Sequence, residues 1–448
     1  MDGMDLIATQ LCKVRGTALP LNTSESKRHG SSRSPGRNVG PTSMNDMANR
    51  MKTVELMQFK ENTVSFRTHG QRKNIALHYT EAGQGHAFLV ASVSGEEDTV
   101  AAARASYAMI ADTLFAKRME IVQERIFGSL SVEAAVLRER KAALSERQIP
   151  ADGPVTVVAG NPPWGEGLAG MIIHAISSGS ADDVWTIMYG ENPCGRGWRR
   201  SGSTYLMLQN IQGQAGSRPG QVRATLDRAE GILRQNGASY KDVARTWLYL
   251  SDILDWYPEF NKARSEKYGE FGIMPGPGDT RLLLPASTGI GANTPSGAAA
   301  SMDLLAVVEN GGVTSPVRKL TNRKQLDAFR YGSAFSRGAV MEEDDVSFIQ
   351  VSGTAAIDEH GVSLYPCDIR AQIDCTLDKI ETLLGQEGAG LTDICAANVF
   401  VKRPEYAEVF RETAADRGLA DFPAVCVVAD LCREELLFEM DAEAMVRK

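Results

Sequence analysis

The residue best suited to acid–base chemistry is Glu439, which lies in an apolar run near the C-terminus, Leu436-Leu437-Phe438-Glu439-Met440. A carboxyl group in a poorly solvated place keeps its proton to a higher pH, so it can deliver that proton near neutral pH. The alternative is an acid on an edge strand that pairs with a lysine or arginine. Glu439 is therefore a candidate catalytic general acid, and both interpretations stay open at this point.

Three arginines, Arg245, Arg264 and Arg337, are candidates for binding a carboxylated small molecule. A planar guanidinium binds a carboxylate through two parallel hydrogen bonds. Each arginine could instead be a surface or helix-capping cation, and we expect at least one of the three to be structural. Arg337 is the strongest candidate because it follows a turn of Gly, Ser and aromatic residues at the start of a strand.

Six further residues carry hydroxyl groups or backbone donors suited to substrate oxygens: Ser287, Thr288, Gly289, Thr354, Tyr249 and Tyr331. The Ser-Thr-Gly stretch could donate to a substrate oxygen, or it could mark a bulge where two parts of the chain pack closely. The two tyrosines could donate a hydrogen bond to a ring hydroxyl or simply pack in an interior.

The elements that would position these residues are repeated along the chain. A turn, a strand and a helix start recur in the same order, as Gln235-Asn236-Gly237-Ala238 and Gln386-Glu387-Gly388-Ala389, Leu248-Tyr249-Leu250 and Val399-Phe400-Val401, and Pro258-Glu259-Phe260 and Pro404-Glu405-Tyr406. A fainter copy precedes both. An internal repeat of this kind predicts one domain type used three times.

Two helices per copy, alternating with short strands, predict an α+β fold with both helices on one face of each sheet. The uncovered faces would pack around a shared axis, so we expect an intramolecular pseudo-trimer with its sites between units. We predict a degenerate domain at 51–180 and further domains at 200–310 and 318–448. Residues 1–50 are rich in Ser, Arg and Gly, which predicts a disordered tail.

Composition excludes several classes of function. The chain has 448 residues, 43% of them hydrophobic and 23% charged, as in a soluble globular protein. A net charge of -8 argues against nucleic acid as a partner. No run approaches the roughly 20 apolar residues of a membrane span. The seven cysteines show no metal-binding spacing, which indicates reduced thiols and a cytoplasmic location.

The repeated motifs resemble the Rid family of reactive-intermediate deaminases, clearly over 203–447 and weakly over 53–180. This resemblance implies chorismate-mutase-like domains with sites at trimer interfaces. The family's deaminases bind the substrate carboxylate with an arginine after Phe-Pro-Ala, but here Val425 follows Ala424 and Ser287 follows Ala286. The missing arginine argues against deamination. The acid of the family's last strand is present, as Glu439.

A narrower resemblance is to the chorismatases, two-domain Rid-fold enzymes that hydrolyse chorismate or convert it to hydroxybenzoate. It covers about half of the chain and is carried, in order, by Arg245-Thr246-Trp247-Leu248-Tyr249, Phe260-Asn261-Lys262-Ala263-Arg264, Pro285-Ala286-Ser287-Thr288-Gly289-Ile290-Gly291, Tyr331-Gly332-Ser333-Ala334-Phe335-Ser336-Arg337 and Ser352-Gly353-Thr354-Ala355. The segment 331–337 is shorter than in that family, and an extra Rid-like unit precedes the matched region.

Three functions follow as hypotheses. The first is a chorismatase-like hydrolase or lyase of a small cyclic carboxylated enol ether, needing no cofactor or metal. Glu439 would be its acid, and Arg337 with Arg245 or Arg264 its carboxylate clamp, between the second and third units. The second is a Rid-type imine or enamine hydrolase. The third is a non-catalytic binding or scaffold protein, since His174 stands in the first unit's counterpart of the Glu439 strand. Dimerisation of the whole chain stays open.

Overall fold

The structure, a computed structural model, describes residues 54–59, 63–68, 75–82, 85–95, 98–177, 179, 183–276, 282–309, 317–325 and 327–448. The predicted tail, 1–50, lies outside the described residues. Across these ranges, no helix has the length and apolar character that crossing a membrane requires.

The first unit covers residues 75–177. Two strands, β1 (Val54–Phe59) and β2 (Thr63–Thr68), precede it and form a separate sheet. The unit contains β3 (Ile75–Ala82), β4 (His86–Val93), α1 (Thr99–Lys117), β5 (Met119–Gly128), α2 (Glu133–Glu146), β6 (Thr156–Ala159) and β7 (Leu168–Ser177). Its sheet has the order β3-β4-β7-β5-β6, in which only the β5–β6 pair is parallel.

The second unit covers residues 184–309. It contains β8 (Val184–Tyr189), β9 (Asn192–Arg200), β10 (Ser203–Ile211), α3 (Arg218–Gln235), β11 (Val243–Leu250), α4 (Ile253–Glu270), β12 (Ala286–Gly291) and β13 (Ala300–Glu309). The sheet order is β12-β11-β13-β10-β9-β8. The central strands repeat the pairing of the first unit, with β11 parallel to β12 and antiparallel to β13.

The third unit covers residues 317–447. It contains β14 (Val317–Leu320), a 3₁₀ turn (Ala328–Tyr331), β15 (Gly338–Glu342), β16 (Val346–Ala355), α5 (Ile369–Gly385), β17 (Ile394–Val401), α6 (Tyr406–Asp416), β18 (Ala424–Val428) and β19 (Phe438–Arg447). The sheet order is β14-β15-β16-β19-β17-β18.

The repeated turn after the first helix of a unit forms as the sequence predicts. Helix α3 ends before Gly237, which has φ +77°, and α5 before Gly388, which has φ +73°. The next backbone amide in each case donates to a carbonyl five residues back, from Ala238 to Leu233 and from Ala389 to Leu384. Glycine adopts this left-handed conformation without steric cost, and the bonds satisfy carbonyls that the helix end leaves open.

Each sheet has one face under its own helices and the other in a core shared by all three units. In the second unit, Leu248 faces the helices whereas Trp247 and Tyr249 face the shared core. Phe88 of the first unit and Phe348 of the third enter the same core. Side chains alternate between the faces of a strand, so every unit contributes a second apolar surface. The predicted α+β class is confirmed.

Three details differ from expectation. Strands β8 and β9 form a hairpin that precedes the predicted start of the second unit at residue 200 and extends its sheet; Pro and Gly in β9 hid it, since both are rare in strands. Helix α4 begins at Ile253 and is kinked at Trp256, just before Pro258. Five described cysteines are free, but Cys367 is disulfide-bonded, so the expectation of seven reduced thiols is wrong for it.

Candidate active site

A pocket opens between the second and third units and encloses about 520 Å³ of empty space that is open to solvent. The second unit lines it with residues of α4 and β12: Tyr257, Arg264, Ser287 and Gly289. The third unit lines it from the segment before β15, from β16 and from the approach to β19: Gln325, Tyr331, Ser333, Phe335, Arg337, Gly353, Ala355, Ile357, Cys432, Arg433 and Glu439.

Glu439 is the acid of this pocket. It is 5% exposed and lies near the start of β19, between Phe400 of β17 and Ala355 of β16. Burial and the negative charge of Asp441 raise the pKa of Glu439 to about 8, against the opposing effect of Arg245. Glu439 therefore holds a proton at neutral pH, in a place where that proton can be transferred to a bound molecule.

Two of the pocket's guanidinium groups have no carboxylate partner among the described residues. Arg264 is 2% exposed, packs over the ring of Phe260 and donates to the Asn261 amide oxygen at 2.7 Å. Arg433 donates to the carbonyl oxygen of Gly361 at 2.7 Å. A buried cation with neutral partners only is well placed to bind an anionic group of a ligand.

Two cations lie close to the ring of Tyr331. Arg337 donates to the Tyr331 hydroxyl oxygen at 2.7 Å and lies 5.5 Å from its ring centroid, and Arg433 lies 5.9 Å from the same centroid. Arg337 also lies 5.3 Å from the Phe335 ring. Cation–π contacts of this kind orient the guanidinium groups without neutralising their charge.

Strand β12 directs alternate residues to the pocket. Ser287 lines it, donates its backbone N–H to Ser352 Oγ at 2.9 Å across the junction, and accepts from Thr246 at 2.9 Å. Gly289 lines it too, and a side chain there would meet nothing within 4 Å. The segment 287–289 is therefore a contact between units and also a wall of the pocket. The sequence had left open whether it binds substrate or marks close packing, and the structure places it where it can do both.

Four predicted contact residues lie outside the pocket lining: Arg245, Tyr249, Thr288 and Thr354. Thr288 points to the opposite face of β12, where it donates to Asp441 Oδ2 at 2.7 Å and accepts from Arg245 at 2.6 Å. Tyr249 lies in the shared core. Thr354 donates to the Ser352 carbonyl, while its strand neighbours Gly353 and Ala355 face the pocket. Strand alternation accounts for Thr288 and Thr354, because every second side chain turns away.

Nine residues of the pocket lining were not predicted to contact substrate, and Tyr257, Gln325, Cys432 and Arg433 are among them. Gln325 is 5% exposed, yet neither its amide nitrogen nor its amide oxygen has a partner among the described residues. Burial raises the pKa of the Cys432 thiol to about 12, so the thiol stays neutral and is a poor nucleophile. Arg433 stands next to Cys432 and six residues before Glu439, which was the available signal.

The position of Glu439 has counterparts in the other two units, set by the same register. Opposite Phe400 stands Glu439, opposite Tyr249 stands Ser301, and opposite Phe127 stands Gly170. In each unit this pair lies at the same distance from a β-bulge. Of the three equivalent positions, the third unit's alone carries an acid.

The matching pocket between the first and second units is also different in charge. It is lined by Arg140 and Arg196. Arg140 pairs with Glu124 at 2.7 Å, and Arg196 pairs with Glu120 at 2.9 Å. Both arginines are paired with a carboxylate of the protein, and neither Gly170 nor Ser301, the counterparts of Glu439, belongs to this lining.

Comparison with known proteins agrees with this fold and site. Residues 328–446 match the family described as Endoribonuclease L-PSP. A crystal structure of a chorismatase aligns with 72% of this chain and 93% of its own, with a TM-score of 0.52 and 21% identity, which shows a shared fold. That aligned share exceeds what the sequence comparisons cover, so the likeness of fold extends beyond the matched sequence.

Two curated relatives come from Streptomyces hygroscopicus. A chorismatase is 28% identical over 270 residues, which are 55% of this chain and 73% of that protein. A 3-hydroxybenzoate synthase is 27% identical over 236 residues, which are 46% of this chain and 64% of that protein, slightly under two thirds of its length. The resemblance to the Rid family, and within it to chorismatases, is confirmed.

Proposed function

We propose that the chain is a cofactor-independent hydrolase or lyase of the chorismatase type, acting on a small cyclic carboxylated enol ether such as chorismate. Glu439 is the general acid, and the site is the pocket between the second and third units. The observation that carries this proposal is a buried carboxyl with a pKa of about 8 in the same pocket as three guanidinium groups.

The proposed reaction begins with proton transfer from the Glu439 carboxyl to the terminal carbon of the enol ether. This forms an oxocarbenium ion, and water adds to its carbon and returns a proton to the Glu439 carboxylate. The resulting hemiketal then collapses to a keto acid and a ring alcohol. Glu439 must be protonated at the start, which its raised pKa supports. Its carboxylate, formed in the first step, lies next to the developing positive charge and stabilises it.

The arginines support binding of a substrate with two carboxylates. Arg264 lies on the second unit's side of the pocket, and Arg337 and Arg433 lie on the third unit's side. Cations on two walls can hold two separate carboxylates and so fix the ring between them. Arg245, predicted as part of the clamp, pairs with Asp441 instead, so we assign it a structural part.

Gln325 supports recognition of a hydroxyl group on the ring. Its buried amide offers both a donor and an acceptor, and an unmade hydrogen bond in a buried place costs free energy until a ligand satisfies it. Tyr331 and Ser287 remain proposed contacts, because both line the pocket. Thr354, Thr288 and Tyr249 do not line the pocket, so they would influence substrate only through the residues that do.

We also infer that the three units form a pseudo-trimer within one chain and that the substrate is its main partner. The shared core, to which all three sheets contribute, supports this arrangement. The domain limits would then follow the sheets, with the second domain starting at β8. A cytoplasmic location and a lack of nucleic-acid and membrane partners stay predictions.

The test is to mix purified protein with chorismate and to measure keto-acid release with lactate dehydrogenase, alongside chromatography of the ring product. We expect turnover by the wild type and its loss in Glu439→Gln, which keeps the shape but cannot donate the proton. Asp303→Asn, a buried acid on the equivalent strand of the second unit, is the matched control and should remain active.

The same preparation separates the other hypotheses. Quenching of 2-aminoacrylate without chorismate turnover would identify an enamine hydrolase. Absence of keto-acid release, together with an unchanged melting temperature on adding chorismate, would contradict the proposal and leave a binding or scaffold protein.

A further inference from the structure

Strand β19 carries three acids on one face, Glu439, Asp441 and Glu443. Residues two apart on a strand share a face and lie roughly 7 Å apart between Cα atoms. All three are at most 5% exposed. Three carboxyl groups so close together and so poorly solvated cannot be equivalent in charge unless each has its own cation.

Two of the three have one. Glu443 accepts from Arg125 of the first unit at 2.5 Å. Asp441 lies 3.4 Å from Arg245 of the second unit. The two guanidinium groups lie over the Trp247 ring, 4.5 and 4.7 Å from its centroid. Arg125 therefore pairs with Glu443, and Arg245 pairs with Asp441.

Asp441 is held further by two neutral donors. Thr288 donates to its Oδ2 at 2.7 Å, and Asn398 donates to its Oδ1 at 2.6 Å. With Arg245, three groups from two units therefore bind this side chain and hold it in place. Glu439 has no hydrogen bond from any described residue and faces the pocket.

We propose that Asp441 is a positioning residue that keeps the proton on Glu439. Arg245, Thr288 and Asn398 hold the Asp441 side chain in place, and its negative charge opposes a second one on the same face of β19. The effect of Asp441 on Glu439 does not depend on the proposed function; only the transfer of the Glu439 proton to a substrate does. The first unit also contributes, because its Arg125 pairs with Glu443, the third acid on this face of β19.

Other charged and titratable groups also face Glu439. They are Arg245 from β11, Tyr257 and Arg264 from α4, Cys432 and Arg433 from the loop before β19, and Tyr331 and Arg337 from the segment before β15. Arg245 favours ionisation of Glu439, and burial raises the pKa values of the Tyr257 phenol and the Cys432 thiol, which keeps both groups neutral. Asp441 is thus the group of opposite effect, alongside burial.

The test compares Asp441→Asn with the wild type and with Asp303→Asn. Asp303 occupies the equivalent strand position, opposite Trp247 as Asp441 is opposite Asn398, and accepts from Thr156 at 2.6 Å. The titration of Glu439 is followed by ¹³C NMR of protein labelled at the glutamate carboxyl carbon, with Glu439→Gln to identify its signal. Turnover of chorismate against pH is measured in parallel.

We expect the midpoint of Glu439 to move to lower pH by about one unit or more in Asp441→Asn, and to stay unchanged in Asp303→Asn. Thr288→Val, which loosens Arg245 from Asp441, should give a smaller shift in the same direction, and it decides the question if Asp441→Asn does not fold. An unmoved midpoint in the variants at 441 and 288, or an equal shift at 303, would overturn the proposal. NMR reports the midpoint even if chorismate is not turned over, so the two proposals fail separately.

Discussion

The Glu439 carboxyl lies directly over Gly353, where a Cβ would come within 2.2 Å of Oε1. Gly353→Ala should therefore displace the acid rather than the backbone, because the end of a side chain moves more easily than a strand. We expect kcat/KM for chorismate to fall about 100-fold, with little change in melting temperature. Steady-state kinetics and calorimetry on the same preparation measure both quantities.

Gly289→Ala is the control, since its added Cβ also faces the pocket but meets nothing within 4 Å. It should cost less activity than Gly353→Ala. Equal losses in both variants would show that crowding of the pocket, and not displacement of Glu439, sets the rate.

Turnover should fall as pH rises through about 8, because the active form of Glu439 is the protonated one and its pKa is about 8. The measurement is kcat/KM for chorismate from pH 6 to pH 10. A profile that remains flat to pH 10, or one that rises with pH across this range, would be incompatible with Glu439 as the acid.

The free energy of unfolding should also depend on pH because of the raised pKa of Glu439. The pKa of Glu439 is higher in the folded chain than its ordinary value of 4.5, so its stabilising effect is complete below pH 4.5 and is lost as pH rises towards 8. Relative to Glu439→Gln, the wild type should lose on the order of 1 kcal/mol in free energy of unfolding per pH unit across this window. Urea unfolding at pH 5, 6.5 and 8 measures the difference between the two slopes.

Arg264 and Arg433, which have no carboxylate partner in the described part of the chain, should determine substrate affinity. Arg264→Lys and Arg433→Lys keep the charge but lose the planar fork, so we expect KM for chorismate to rise about 10-fold or more in each. Arg140→Lys is the matched control on the second helix of the first unit, where the guanidinium pairs with Glu124. An unchanged KM in both pocket variants would exclude these arginines as the clamp.

A buried histidine pair should make the chain sensitive to acid. His174 stacks on Phe88 and lies 3.1 Å from His86, and burial followed by the charge of His86 lowers its pKa well below the ordinary 6.5. Because the unfolded chain takes up a proton that the folded chain refuses, stability falls as pH drops below 6.5. His174→Asn should reduce this fall between pH 7.5 and 5 in urea unfolding, whereas exposed His360→Asn should not.

The fold could be predicted from the sequence because its signals are local. The turn at Gly237 and Gly388 and the alternation along β11 are each set by a few adjacent residues. The hairpin of β8 and β9 was missed because glycine and proline there hide the strand pattern.

The site could be predicted only in part. Glu439, Arg264, Arg337 and Ser287 line the pocket as expected. Arg245 and Thr288 were predicted to contact substrate. Whether their side chains point into the pocket depends on which face of a strand meets another unit, and sequence spacing alone does not show this. Gln325 carries no local signal, because its importance comes from a burial created by distant segments.

The equivalent positions Gly170, Ser301 and Glu439 have a consequence for how this protein can change. In a ring of identical subunits, one substitution appears at every interface, so all sites must be of one kind. Here each copy is encoded separately, and the three equivalent positions carry different residues. Covalent linkage also fixes their local concentration, so dilution cannot dismantle the network that joins Arg125, Arg245 and Asp441. A single working junction can then be supported by two neighbours that are free to lose their own chemistry.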